Sequence, residues 1–337
     1  MDISLFDYNL PEKYIAKYPL NKRDQSNLLI YNRNKKNIDF SVFSNLSDFL
    51  DKDDILVANN VKVIPARIYG KKKTGGKVEL LLVSKKNDYI WEIIYNSSKP
   101  LKIGNEIFFN GFKCKLIDTS VVEFNIKMDY ETLENIDSHL PLPPYLKRVD
   151  LEIDRERYQT VYSSLQKRGA IAAPTAGLHF TGNVLDKLKA KGINIFFITL
   201  YVGLGTFLPV RCKNIEEHKM HTEQYEISDY VADELNSAKE SGKNIVAVGT
   251  TTVRALEDNF SKFKSIRRGK FSTDIFIYPG YEFKITDKLI TNFHLPKSTL
   301  LMLVSAFAGR ENILQCYEEA KKRNFRFFSY GDSMFIV

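Results

Sequence analysis

Between residue 67 and about residue 127 the chain changes texture, and that change limits the folds open to it. Short, partly alternating apolar runs cover 67–69, 78–83, 90–95, 106–109, 112–117 and 121–126. Turn signals separate them: Thr74-Gly75-Gly76, Asn87-Asp88, Gly104-Asn105 and Asn110-Gly111. Alternation broken by such turns is the pattern of a small antiparallel barrel, and no helix of useful length interrupts it.

The flanks read differently. A hairpin is expected from 28–31 and 38–40, a helix start at Asn9-Leu10-Pro11-Glu12, and a buried strand at 55–58. A short helix at 131–138 and a stiff linker, His139-Leu140-Pro141-Leu142-Pro143-Pro144-Tyr145, follow the barrel. Beyond it, apolar strands at 193–200, 245–248 and 273–278 alternate with helices capped by Thr181, Ser228 and Ser298, and 325–328 and 334–337 read as closing strands. Such alternation implies a mainly parallel sheet. The first 60-odd residues hold no complete α/β unit, so they must pack on the C-terminal part. The expected architecture is an α/β main domain, discontinuous in sequence (1–64 and 150–337), with an inserted small antiparallel β-barrel domain at 65–149.

Bulk properties narrow the classes. With 337 residues, 44% of them hydrophobic and 27% charged, this is an ordinary globular composition. No apolar run approaches the roughly 20 residues of a membrane span. Met1-Asp2-Ile3-Ser4 does not open a signal-peptide pattern. Cys114, Cys212 and Cys316 are isolated, which fits a reducing, cytoplasmic setting. The net charge of +8 suits a polyanionic partner such as RNA, although a Lys-rich surface would give the same figure.

Five stretches place polar or flexible residues at strand ends, where open α/β sheets bind ligands. They are Pro174-Thr175-Ala176-Gly177-Leu178-His179, Tyr201-Val202-Gly203-Leu204-Gly205-Thr206, His218-Lys219-Met220-His221-Thr222-Glu223, Val248-Gly249-Thr250-Thr251-Thr252-Val253-Arg254 and Thr291-Asn292-Phe293-His294-Leu295-Pro296. Each has a plainer reading. Gly203-Leu204-Gly205 is a turn as readily as a ligand loop, and Leu208 replaces the third glycine of the dinucleotide fingerprint. His218 and His221 lack a third ligand at zinc spacing, so no metal is expected. Thr250 to Thr252 opens a helix and is either a simple cap or an anion cradle. The residues alone define an α/β enzyme with a His-rich, anion-tolerant cleft.

Together these stretches resemble the S-adenosylmethionine:tRNA ribosyltransferase-isomerase family of queuosine biosynthesis. The carrying residues are Ala172-Ala173-Pro174-Thr175-Ala176-Gly177-Leu178-His179-Phe180-Thr181, Val202-Gly203-Leu204-Gly205-Thr206-Phe207, the His218 and Thr250 stretches, and Thr291-Asn292-Phe293-His294-Leu295-Pro296-Lys297-Ser298. Phe6-Asp7-Tyr8, Ile64-Pro65-Ala66-Arg67 and Leu140-Pro141-Leu142-Pro143-Pro144-Tyr145 also fit, so the likeness covers essentially the whole chain. Tyr201 departs from it, standing where the family commonly carries His.

The resemblance implies an α/β domain with an inserted barrel and a particular reaction. The ribosyl part of S-adenosylmethionine, a co-substrate and not a resident cofactor, moves to 7-aminomethyl-7-deazaguanine at the tRNA wobble position. Epoxyqueuosine forms, and adenine and methionine leave. A carbon beside a sulfonium is acidified, and histidine suits its deprotonation. His179, His221 and His294 are expected to supply the acid–base groups, with His218 in support. Arg254, with the Thr250 and Thr251 amides, is expected to meet the methionine carboxylate or a tRNA phosphate. Tyr201 or Tyr278 would face the sulfonium. Thr175, Gly177, Gly203, Gly205, Thr206 and Asn292 complete the expected cofactor-binding set. The partners expected are tRNA and S-adenosylmethionine, with no membrane and a monomeric chain. Two rivals stand beside this reading: an S-adenosylmethionine-dependent tRNA methyltransferase, and a non-catalytic RNA-binding protein.

Overall fold

A computed structural model describes residues 1–203, 210 and 212–337. The chain opens with β1 (Asn27–Asn32), β2 (Asn37–Val42), β3 (Asp54–Asn59) and the short β4 (Lys62–Val63). Six strands then close on themselves: β5 (Arg67–Lys72), β6 (Lys77–Lys85), β7 (Ile90–Ser97), β8 (Glu106–Phe108), β9 (Lys113–Asp118) and β10 (Val121–Phe124). All their pairings are antiparallel, and β5–β8 pairing completes the ring. Alternate residues such as Ile68, Leu80, Trp91 and Leu116 fill its interior, as the period-two pattern requires. Gly70 must be glycine: a Cβ there would lie 2.7 Å from the Ile107 side chain and 2.9 Å from the Phe108 carbonyl.

After the barrel come α1 (Tyr130–Asn135), β11 (Ser138–His139), α2 (Glu152–Arg157), β12 (Arg168–Ala170) and α3 (Gly182–Ala190). β13 (Ile195–Leu200), β14 (Glu223–Ile227), α4 (Asp229–Glu240), β15 (Asn244–Val248) and α5 (Thr250–Phe263) follow. The chain ends through β16 (Gly269–Thr273), β17 (Lys288–Asn292), α6 (Thr299–Ala308), α7 (Arg310–Lys322) and β18 (Ser333–Ile336). β4 and β12 run parallel side by side, where the chain leaves for the barrel and returns.

The large sheet has the order β16-β14-β13-β3-β15-β17-β18-β1-β2. It is mixed. Its centre, β13-β3-β15-β17, is parallel throughout, as expected of an α/β unit. Antiparallel pairs extend it on both sides, and β1 lies parallel to β18. Successive side chains of β1 go to opposite faces. Leu29 and Tyr31 pack with α6 and α7, while Leu28 and Ile30 pack with Val184 and Leu188 of α3.

Local chemistry explains the helix ends. Thr181, Ser228 and Ser298 each accept the backbone N–H three residues on, as their N-cap positions require. Three expectations shift. The strand read at 273–278 is β16, ending at Thr273, because the Thr273 hydroxyl accepts the Ile275 N–H and turns the chain. The helix expected near Pro11 is a single 3-10 turn, Glu12–Tyr14. The stretch at 325–328 makes only an isolated bridge, Ile15 to Phe327, and is no strand.

Candidate active site

The parallel strands β3, β15 and β17 end at one rim, and the site is built there. After Val248, Gly249 takes φ +89°, a conformation side-chain-bearing residues rarely adopt, and α5 starts at once. The first amides of a helix have no intrahelical acceptor, so the Thr250 and Thr251 N–H groups open toward this rim. β17 delivers Thr291 and Asn292, and the 3-10 turn Thr175–His179 packs across its end. The strand ends and this turn enclose a small cleft. Thr175, Thr250, Thr251, Asn292 and His294 line it, with Val202. The Thr251 hydroxyl is buried and has no hydrogen-bond partner among the described residues.

A directed hydrogen-bond chain runs behind the wall. The Thr175 hydroxyl donates to Asn292 Oδ1 at 2.8 Å. The Asn292 amide therefore presents its NH₂ to His179 Nε2 at 3.0 Å. That nitrogen must accept, so the imidazole proton sits on Nδ1 and points to Ser26 Oγ at 2.7 Å. This wiring requires a neutral ring. Burial, with smaller contributions from Arg326 and Arg23, pushes the His179 pKa down to about 3. His294 is also buried, and its pKa falls to about 3 for that reason. Its Nε2 lies 2.9 Å from the Thr291 hydroxyl, its N–H donates to the Tyr317 hydroxyl, and its carbonyl accepts from Tyr8.

Both rings shed protons that the unfolded chain, with an ordinary value of 6.5, takes up. Their contribution to stability is complete above pH 6.5 and is lost as pH falls from there toward 3, by about 1.4 kcal/mol per pH unit for each ring. Urea unfolding midpoints should drop steeply from about pH 7 to pH 5, and His294→Gln should flatten that drop. A wild-type midpoint independent of pH in this window would show that the rings are not held neutral.

Arg254 is placed otherwise than expected. Sequence reading assigned it to a ligand's anion; the structure buries it in α5 and pairs it with Glu223. The second Glu223 oxygen accepts the Gly203 N–H at 2.9 Å, so this ion pair anchors the turn after β13 to α5.

The remaining expected residues that are described lie off the cleft wall. Gly177 is buried against Tyr162 and Thr160, where a Cβ would come within 2.2 Å of the Tyr162 hydroxyl. The Tyr201 ring covers Gly169. His218 meets Phe276 edge-on and Tyr278 packs on it at a tilt, with ring centroids 5.3 and 5.1 Å away. Burial first, and His221 second, lower the His218 pKa; His221 itself is exposed. Gly205 and Thr206 lie outside the described residues. Sequence reading missed Ser26 and Tyr317. Ser26 stood inside a polar turn 153 residues from its histidine, and no local pattern marks so distant a pairing.

A rim of parallel strand ends, a helix amino terminus and a neutral-histidine network, with a closed barrel inserted in the chain, define an α/β enzyme. The family model described as "Queuosine biosynthesis protein" matches residues 3–336, and the chain belongs to that family. Curated relatives named S-adenosylmethionine:tRNA ribosyltransferase-isomerase are 50% identical in Sulfurihydrogenibium sp. and 46% in Halothermothrix orenii, each covering the whole of both chains. A third of that name, from Staphylococcus haemolyticus, is 47% identical over the same extent. The crystal structure of S-adenosylmethionine tRNA ribosyltransferase from Thermotoga maritima matches with a TM-score of 0.57 at 33% identity, over 99% of this chain and 100% of that one. No helix among the described residues is long and apolar enough to cross a membrane.

Proposed function

We propose that the protein transfers and isomerises the ribosyl group of S-adenosylmethionine onto 7-aminomethyl-7-deazaguanine at the tRNA wobble position. Epoxyqueuosine is the product, and adenine and methionine are released. The observation that carries this reading is the convergence of Thr175, Thr250, Thr251, Asn292 and His294 on one cleft, in a chain that aligns end to end with relatives of that name. We read 1–64 with 150–337 as the catalytic domain and 65–149 as the inserted barrel domain.

The chemistry follows from the groups present. The methionine carboxylate suits the Thr250 and Thr251 amides and the unpartnered Thr251 hydroxyl, which lie where α5 presents partial positive charge. The sulfonium acidifies the adjacent ribose carbon. His294, already in its base form, accepts that proton. A low pKa makes a weak base but a strong conjugate acid, which suits handing the proton to departing adenine. His179 holds Asn292 in one orientation and takes no proton. His218 and His221 stand outside this route.

The test is direct. The protein is incubated with S-adenosylmethionine and tRNA bearing the deazaguanine, and the wobble nucleoside is analysed by mass. Epoxyqueuosine with adenine and methionine is the expected result. S-adenosylhomocysteine would instead show methyl transfer, and tRNA binding without turnover would show a binding protein.

A further inference from the structure

A second, smaller pocket lies across His179 from the cleft. The His179 ring joins the two: Nε2 meets Asn292 on the cleft side, and Nδ1 meets Ser26, which lines the pocket. Arg23, Arg157 and Arg326 also line it, brought together from the turn before β1, the end of α2 and the loop before β18. Among the described residues no carboxylate lines this pocket.

Neutral acceptors position these arginines. Arg23 donates to the carbonyls of Gln159 and Leu178, and Arg326 to those of Tyr18 and Tyr330. Carbonyls fix a guanidinium without cancelling its charge. Asp332 lies 4.0 Å from Arg326 Nε with its oxygens already accepting from Asn27 and the Arg326 backbone, and Glu156 acts on Arg23 from farther away. Arg157 donates to the Asn21 carbonyl, while its Nε–H is buried without a partner among the described residues. Among the described residues, Arg326 alone of the three has a carboxylate within 4.0 Å, so the positive charge around this opening exceeds the negative.

We propose that this pocket is an oxyanion subsite that takes one phosphodiester of the tRNA backbone next to the modified nucleotide. The inference rests on tRNA being the substrate. The pocket is far smaller than a site for a whole small-molecule ligand, so it suits a single group. Arginine forks match a phosphate's oxygens in pairs. One imidazole separates the pocket from the cleft, and the methionine carboxylate already has its own cradle at α5. Phosphate contacts of this kind set the position of a nucleic acid without reading its sequence.

Arg157 has the fewest structural bonds of the three, so it is the residue to change. Arg157→Gln is expected to weaken tRNA binding about tenfold and to reduce the slope of log affinity against log salt by about 0.7 to 0.9, one phosphate contact. KM for S-adenosylmethionine should stay unchanged, and Arg157→Lys should restore the slope. In parallel, inorganic phosphate should raise the melting temperature of the wild type and not of Arg157→Gln. A wild-type salt slope in Arg157→Gln, or a raised KM for S-adenosylmethionine with tRNA binding intact, would overturn the assignment. If the wild type bound no tRNA, the functional reading would fall. The phosphate comparison would still judge the pocket, and equal protection of both proteins would refute it.

Discussion

His294→Gln should lower epoxyqueuosine formation by about 10²- to 10⁴-fold, the range for losing a general acid–base group. The glutamine amide reaches the position of Nε2, so the bond to Thr291 is kept and the backbone ties to Tyr8 and Tyr317 are untouched. What disappears is a ring nitrogen able to take a proton and return it. Single-turnover assays with saturating S-adenosylmethionine should show the loss in rate, with binding of both substrates near wild type. A variant as fast as the wild type would deprive His294 of any part in proton transfer. The same variant should be less sensitive to acid, because one buried neutral ring no longer resists protonation. Activity and acid sensitivity are thus expected to change together, which a purely structural histidine would not produce.

Gly331→Ala is expected to cost about 3 kcal/mol, the upper part of the range for overpacking. A Cβ at this position would sit 2.5 Å from the Arg326 carbonyl oxygen and 2.5 Å from the Phe327 carbonyl carbon. Both obstacles are backbone and cannot rotate aside. They are pinned in turn: Phe327 N–H donates to Tyr14, Ala16 N–H to Phe327, and Asp332 N–H to Arg326. The loop also faces the site, since the Asn292 amide lies 3.4 Å from the Phe328 carbonyl and 3.5 Å from that of Asp332. Thermal unfolding should therefore move down by several degrees and turnover should fall with it. Gly182→Ala, at the start of α3 with nothing within 4 Å of the added carbon, should leave both unchanged. Equal stability of the two variants would show that the loop yields where its bonds say it cannot.

Much of the fold was legible because local rules decide it. Thr181, Ser228 and Ser298 cap helices with their own hydroxyls, and barrel turns carry Gly or Asn where the chain must reverse. The parallel centre of the sheet follows from alternating strands and helices. What local patterns do not carry is pairing across sequence distance. Nothing within β1 marks β18 as its parallel neighbour, and nothing near Glu223 marks its claim on Arg254. The apolar run at 273–278 misleads for a related reason: Ile275 and Ile277 pack into the core without joining a ladder. At the site, residue types were readable and their division of labour was not. Histidine suggests a proton carrier, but burial and hydrogen-bond direction, visible only in three dimensions, make His179 a fixed acceptor.

The outgoing strand β4 and the incoming strand β12 are hydrogen-bonded neighbours. The whole excursion between them is thus, topologically, a loop whose two ends are clasped. Loop length is a weak thermodynamic variable, each doubling adding only about 0.6 kcal/mol. Insertions and deletions in the hairpin tips of that excursion should hardly register in the sheet that carries the cleft. Descendants of this chain can therefore remodel the appended module by changing its size while the reaction chamber keeps its shape.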